Sequence, residues 1–278
     1  MTSKIHQILK NSYDKRVVNY ESVHQLTNSN FDLFVSTINP NEGETILDVG
    51  AGYGAATREM IIRNPNVPIN YVLLEKSMVQ LDRAKVELGN ITTEDFINRQ
   101  IDFLKGSIQK HPFDSEVFDK VVAKSFIHEI PKNEKTSSFR SIYKMLKSDG
   151  QFIIWNYILD DINCDYVRKL IRKKDELAGF DELVLERHFP TKKEIVDTLQ
   201  AAGFKNIREE HTFTYTHHSF SRLGEFNNDL DVLRIFNKYL VKSAEKLDQT
   251  VKDHMKFNIQ GDDITIEIEQ SIYKAEKD

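Results

Sequence analysis

The sequence predicts an α/β protein: a mainly parallel sheet of about seven strands with helices on both faces. Three observations carry this. Five short apolar runs, starting with Thr45–Val49, are separated by segments with helical spacing. The first run ends in the glycine turn Gly50-Ala51-Gly52-Tyr53-Gly54, which leads directly into the helix-like Ala55–Ile62. A chain of 278 residues with 40% hydrophobic content has room for one such core plus insertions.

Taken in order, residues 3 to about 38 are expected to be helical. Ile5, Ile8, Leu9, Tyr13 and Val17 recur at three- and four-residue steps, as do Phe31, Leu33, Phe34 and Ile38. Pro40-Asn41-Glu42-Gly43 breaks this pattern. The second strand is Ile69–Leu74, followed at once by Glu75, and Ser77-Met78-Val79-Gln80 reads as a capping box opening a helix. Ile101–Leu104, Phe118–Ala123 and Gln151–Trp155 complete the five strands. Asn133–Leu146 is read as the intervening helix, closed by Ser148-Asp149-Gly150. Thr191-Lys192-Lys193-Glu194 is a second capping box, and its helix ends at Gly203. Asn206–Tyr215 is expected as a sixth strand and Ile264–Glu269 as the last. Between them Leu230, Leu233, Phe236, Leu240, Ala244, Leu247 and Val251 form one face of a long helical pattern. The domain reading is an N-terminal helical lid over residues 1–40 and a core over 41–278, with helical cap insertions at about 160–187 and 217–260.

Composition removes several classes. A net charge of −5 argues against a surface built for nucleic acid, and the cations of Lys169–Lys174 read as a solvated helix face. The single cysteine, Cys164, forms no internal disulfide and no multi-cysteine zinc site. No apolar stretch reaches membrane length and the first residues lack a signal-peptide core, so a cytoplasmic protein without a membrane partner is expected.

A dinucleotide fingerprint needs G-x-G-x-x-G, whereas the spacing here is Gly50-x-Gly52-x-Gly54, with Asp48 two residues before it. This pattern resembles the class I S-adenosylmethionine-dependent methyltransferases. Glu75 at the end of the second strand, Gly106-Ser107 after the third, Phe118–Val122 and Leu146–Phe152 match further landmarks of that family in order. The resemblance implies a Rossmann-like, doubly wound fold. It also implies S-adenosyl-L-methionine as cofactor, held by Asp48, Gly50, Ala51, Gly52, Gly54, Glu75, Lys76, Ser107, Ile108, Lys124 and the lid residue Tyr20. The chemistry suits this ligand, which carries a ribose diol and a cationic sulfonium but no phosphate. A carboxylate at Glu75 accepts both ribose hydroxyls, and Asp48 favours the cationic end or fixes the turn by local hydrogen bonds. Ser107 departs from the aspartate that the family commonly places against the adenine.

The acceptor is expected over the carboxyl ends of the fourth and fifth strands. Lys124–Pro131 there contains no Asn/Asp-Pro-Pro-Tyr motif and no cysteine, so base-amine methylation and covalent cytosine chemistry are not expected. Lys124 and Asn156 stand where metal-dependent catechol-type enzymes carry acids, so no metal is expected. What remains resembles the small-molecule branch related to ubiquinone-pathway and natural-product enzymes. His128 is a candidate general base, read equally well as a packing residue, and Glu129 reads as solvated or capping. Tyr13 and Tyr20 are candidates to close a lid, and Phe213–Phe220 with Phe226 to line an aromatic acceptor pocket. His217 and His218 point to opposite faces of a strand and make poor joint ligands. The expected function is methyl transfer to a small, partly apolar acceptor by a monomer or homodimer. Transfer to tRNA or protein, or a non-methylating relative, are the alternatives.

Overall fold

The computed structural model describes residues 28–91 and 100–278. Tyr13, Tyr20 and most of the expected lid lie outside them. The described residues divide into two compact units: one comprises 28–91, 100–156, 193–212 and 271–278, the other 157–192 and 213–270.

The larger unit is an α/β layer. It opens with helix α1 (Asn28–Ile38), which buries Phe31, Phe34, Val35 and Ile38 on one face. Strand β1 (Thr45–Val49), helix α2 (Ala55–Arg63), β2 (Asn70–Glu75), α3 (Met78–Gly89), β3 (Gln100–Lys105) and β4 (Phe118–Lys124) follow. Two short 3-10 turns lead to α4 (Lys135–Met145) and β5 (Leu146–Tyr157). β1 pairs in parallel with β2 and β4, β2 with β3, and β4 with β5. Leu47 faces Val72 on one side and Val121 on the other. The central strands are mostly apolar because helices cover both faces, and Ile46, Leu47, Val121 and Ile153 are fully buried. Helix α7 (Lys192–Ala202) stops before Gly203, whose φ is 111°.

The seven-strand path is β3-β2-β1-β4-β5-β8-β6, where β6 is Lys205–His218 and β8 is Asp263–Glu276. Asn206 bonds Glu276 while Thr212 bonds Ser271, so β6 and β8 run in opposite directions. A short eighth strand, β7 (Asn258–Gln260), pairs antiparallel with β8 through Gly261. The mainly parallel α/β fold expected from the sequence is the fold observed.

The smaller unit holds α5 (Cys164–Leu177), α6 (Asp181–Glu186), α8 (Leu230–Ala244), α9 (Gln249–His254) and the remaining parts of β6 and β8. It has its own core, in which Val167, Leu170, Phe226, Leu233, Phe236 and Leu240 pack with Ile264 and Ile266.

Three boundaries differ from expectation. Ser148-Asp149-Gly150 does not cap a helix. The helix ends at Met145, and these residues bulge within β5, where the register against β4 jumps from Leu146 to Gln151. The long C-terminal helical pattern is two helices, broken at residues 245–248, and Leu230 at its start is exposed. Strands β6 and β8 both outrun the short segments expected.

Candidate active site

The carboxyl ends of β1, β2 and β4 converge on the glycine turn. Gly50 and Ala51 donate their N–H groups to the Leu74 carbonyl at 2.8 and 3.2 Å, which ties the turn to the end of β2. Gly50 has φ 65°, and a Cβ there would lie 2.0 Å from the Phe126 ring, so only glycine fits beneath that side chain. Gly52 has φ 57°, and a Cβ there would approach only Gln80 Oε1, at 3.6 Å. Gly54 is the left-handed residue that opens α2.

Glu75 closes β2 and is buried. Its Oε2 accepts the Gly52 N–H at 2.9 Å and its Oε1 accepts the Ser77 N–H at 2.8 Å. Burial pushes its carboxyl above the ordinary range, and these N–H bonds oppose that push. Each oxygen keeps a lone pair for a further hydroxyl donor. Asp48 is buried, with Oδ2 accepting the Thr57 hydroxyl at 2.8 Å. Desolvation raises its carboxyl to about 6. Asp48 thus fastens the first turn of α2 to β1 through the Thr57 side chain. Lys76 is exposed beside Glu75. Gly106 donates to the Glu75 carbonyl at 3.0 Å, a Cβ on it would press on Leu74, and Ser107 and the buried Ile108 follow.

At the end of β4 the Lys124 ammonium lies 4.9 Å from the Trp155 ring centre and 5.5 Å from that of Phe31. Burial lowers it to about 8, opposed by the negative field of Asp48. His128, buried in the turn after β4, has both ring nitrogens engaged. Nδ1 lies 2.8 Å from Asn156 Oδ1 at the end of β5, and Nε2 lies 3.2 Å from Glu129 Oε1. Glu129 is not solvated as expected; its side chain is 9% exposed and pairs with His128.

Four contributors escaped the sequence reading: Thr57, Gln80, Phe126 and Asn156. Gln80 looked like half of a capping box, and Ser77 does accept its backbone N–H at 3.2 Å. The reciprocal bond is missing because Glu75 takes the Ser77 N–H, which leaves Gln80 Oε1 buried without a partner among the described residues. That acceptor, beside Gly52, suits a ligand hydroxyl donor. The partners of Asp48 and His128 lie nine and 28 positions away, and no local pattern marks them.

The glycine turn, Glu75 and Lys124 thus gather at the carboxyl edge of a doubly wound sheet, the edge at which such folds take their ligands. Residues 40–208 match the methyltransferase domain family, and the chain belongs to it, among the S-adenosylmethionine-dependent methyltransferases. It is 34% identical to sterol 24-C-methyltransferase of Saccharomyces cerevisiae over 43% of this chain, and spans 29% of that protein's length. An uncharacterised methyltransferase of Geobacillus thermodenitrificans is 23% identical over 68% of this chain and 82% of its own. In fold, the YcgJ protein of Bacillus subtilis matches 90% of this chain and 99% of its own, with a TM-score of 0.72 and 14% identity.

Proposed function

We propose that the protein transfers a methyl group from S-adenosylmethionine to a small, partly apolar acceptor by in-line displacement. The observation that carries this reading is the joint of Glu75 and Gly52: a buried carboxylate bonded to the N–H of the glycine turn, with the unpartnered Gln80 Oε1 beside it. These groups match a ribose diol. S-adenosylmethionine supplies an electrophilic methyl group on a sulfonium. The Lys124 ammonium, held 4.9 Å from the Trp155 ring centre, suits the α-carboxylate of the cofactor's amino-acid tail. Ser107 and Ile108 adjoin the adenine, and Ala51 and Lys76 offer backbone groups beside the ribose.

Most of the rate enhancement in such a transfer comes from alignment and exclusion of water. Where the acceptor must lose a proton, His128 is the base. Asn156 Oδ1 accepts the Nδ1–H, so the nitrogen that takes the acceptor's proton is Nε2, and the Glu129 carboxylate 3.2 Å away stabilises the imidazolium that forms. Among the described residues no group of three or more His, Cys, Asp or Glu side chains is placed to hold a metal. The sterol 24-C-methyltransferase relatives support an acceptor with an extended apolar body. We assign acceptor binding to the cap segments at about 160–187 and 217–260.

Transfer of label from methyl-labelled S-adenosylmethionine to a panel of isoprenoid, sterol and phenolic acceptors tests this. Products heavier by one methylene unit are expected by mass spectrometry. Label appearing only in RNA or protein would overturn the acceptor class.

A further inference from the structure

The turn that carries His128 is closed from outside itself. It follows β4 as the 3-10 segment Ile127–Glu129 and runs through Ile130 into Pro131. Glu129 donates its N–H to the Phe126 carbonyl at 2.8 Å, but the next bond, from the Ile130 N–H to the Ile127 carbonyl, is 3.4 Å long. Pro131 has no N–H, so the backbone cannot add a further turn of helix here. The Lys135 ammonium supplies donors instead. It donates to the Ile127 carbonyl at 2.5 Å and to the Ile130 carbonyl at 2.6 Å. These two carbonyls bracket His128 and Glu129, and all of these residues belong to the larger unit.

Lys135 stands where a lysine is costly. It is 4% exposed, and it is the first residue of α4, at the positive end of that helix's dipole. Burial and the dipole both disfavour an ammonium, so its bonds to the turn offset two costs. What those bonds hold in place is the His128 ring, 3% exposed, with Nδ1 2.8 Å from Asn156 Oδ1 and Nε2 3.2 Å from Glu129 Oε1. The buried Ile127 and Ile130 side chains anchor the same turn on either side of that ring. A small rotation of the turn would carry the imidazole away from the end of β5, and alignment of this kind governs catalytic rate.

We propose that Lys135 is a positioning residue: its ammonium closes the turn Ile127–Ile130 and so fixes the His128 ring against Asn156 and Glu129. This rests on the reading of His128 as the base of the methyl transfer, and Lys135 acts only through His128.

The test uses the full chain with 15N-labelled histidine rings, read by NMR, with S-adenosylhomocysteine titrated into each sample. In the wild type the His128 Nδ1–H signal should be present and slow to exchange. In Lys135→Met, which keeps the length and loses every donor, it should be lost. Lys135→Arg, which keeps the charge and offers N–H groups to both carbonyls, should retain it. Lys135→Gln, uncharged and shorter, takes the place of Lys135→Met if that variant does not fold, with the same loss expected. A shifted His128 titration alone would follow from removing a nearby charge, so the hydrogen-bonded proton is the deciding readout. A lower melting temperature with the Nδ1–H signal unchanged would overturn the proposal, as would equal loss in Lys135→Met and Lys135→Arg. Failure of the wild type to bind S-adenosylhomocysteine would overturn the methyltransferase reading itself. Wild-type transfer of methyl label by His128→Ala would overturn the base reading, and neither of these results depends on the Lys135 variants.

Discussion

Asp48 and Lys124 carry opposite charges in one partly dry site, and burial shifts each toward its neutral form. Asp48 rises to about 6, so the folded protein keeps a proton that the unfolded chain has lost above pH 4. Its contribution to stability is therefore most favourable below pH 4, falls as pH rises to 6, and is flat beyond. Asp48→Asn retains an acceptor for Thr57 and removes this slope. Denaturant melts should show the variant gaining about 3 kcal/mol on wild type between pH 4 and pH 7; a gain in the opposite direction would contradict the burial. Lys124, lowered to about 8, loses its ammonium just above neutrality. Affinity for S-adenosylhomocysteine should fall roughly tenfold from pH 7 to pH 9, and the pH dependence should vanish in Lys124→Met. Trp155 is the single tryptophan and lies against Lys124, so its fluorescence reports the binding. Gly50→Ala must displace the Phe126 ring and adopt a left-handed φ; a loss of about 2–4 kcal/mol is expected from thermal melts.

Elements whose information is local were the legible ones. β1, β2 and β4 announce themselves as apolar runs because each is covered on both faces, and Glu75 is identified by its place at a strand end. The bulge in β5 was hidden. Ser148-Asp149-Gly150 carries ordinary helix-stop chemistry, and only pairing with β4 shows that the chain has already become a strand at Leu146. The site divides in the same way. The glycine spacing and Glu75 could be read in sequence, whereas Glu129 looked solvated because its partner is a ring buried in the fold. In the smaller unit, the face of α8 formed by Leu233, Phe236, Leu240 and Ala244 was legible from its spacing. Leu247 and Val251 continue that spacing numerically but lie beyond a break in the helix. Phe236 sits in the middle of the buried face, packed edge-on against Phe226. Phe236→Ala should cost about 3–5 kcal/mol by chemical denaturation, far more than exposed Ile235→Ala on the same helix.

At the scale of the molecule, the described residues form two compact units. The larger one presents the glycine turn, Glu75, Lys124 and His128, and the smaller one has its own core. The net charge is −5, and no helix among the described residues is long and apolar enough to cross a membrane. The central claim is that the turn between β1 and α2, with Glu75, holds S-adenosylmethionine. Calorimetric titration of S-adenosylmethionine into the wild type and Glu75→Ala, with circular dichroism confirming that both are folded, tests it most directly. One site per chain is expected in the wild type, and affinity at least tenfold weaker in the variant, because a hydrogen bond to a charged group is worth about 1.5–3 kcal/mol. A folded wild-type protein that binds no S-adenosylmethionine, or a Glu75→Ala variant that binds it as well as wild type, would contradict the claim.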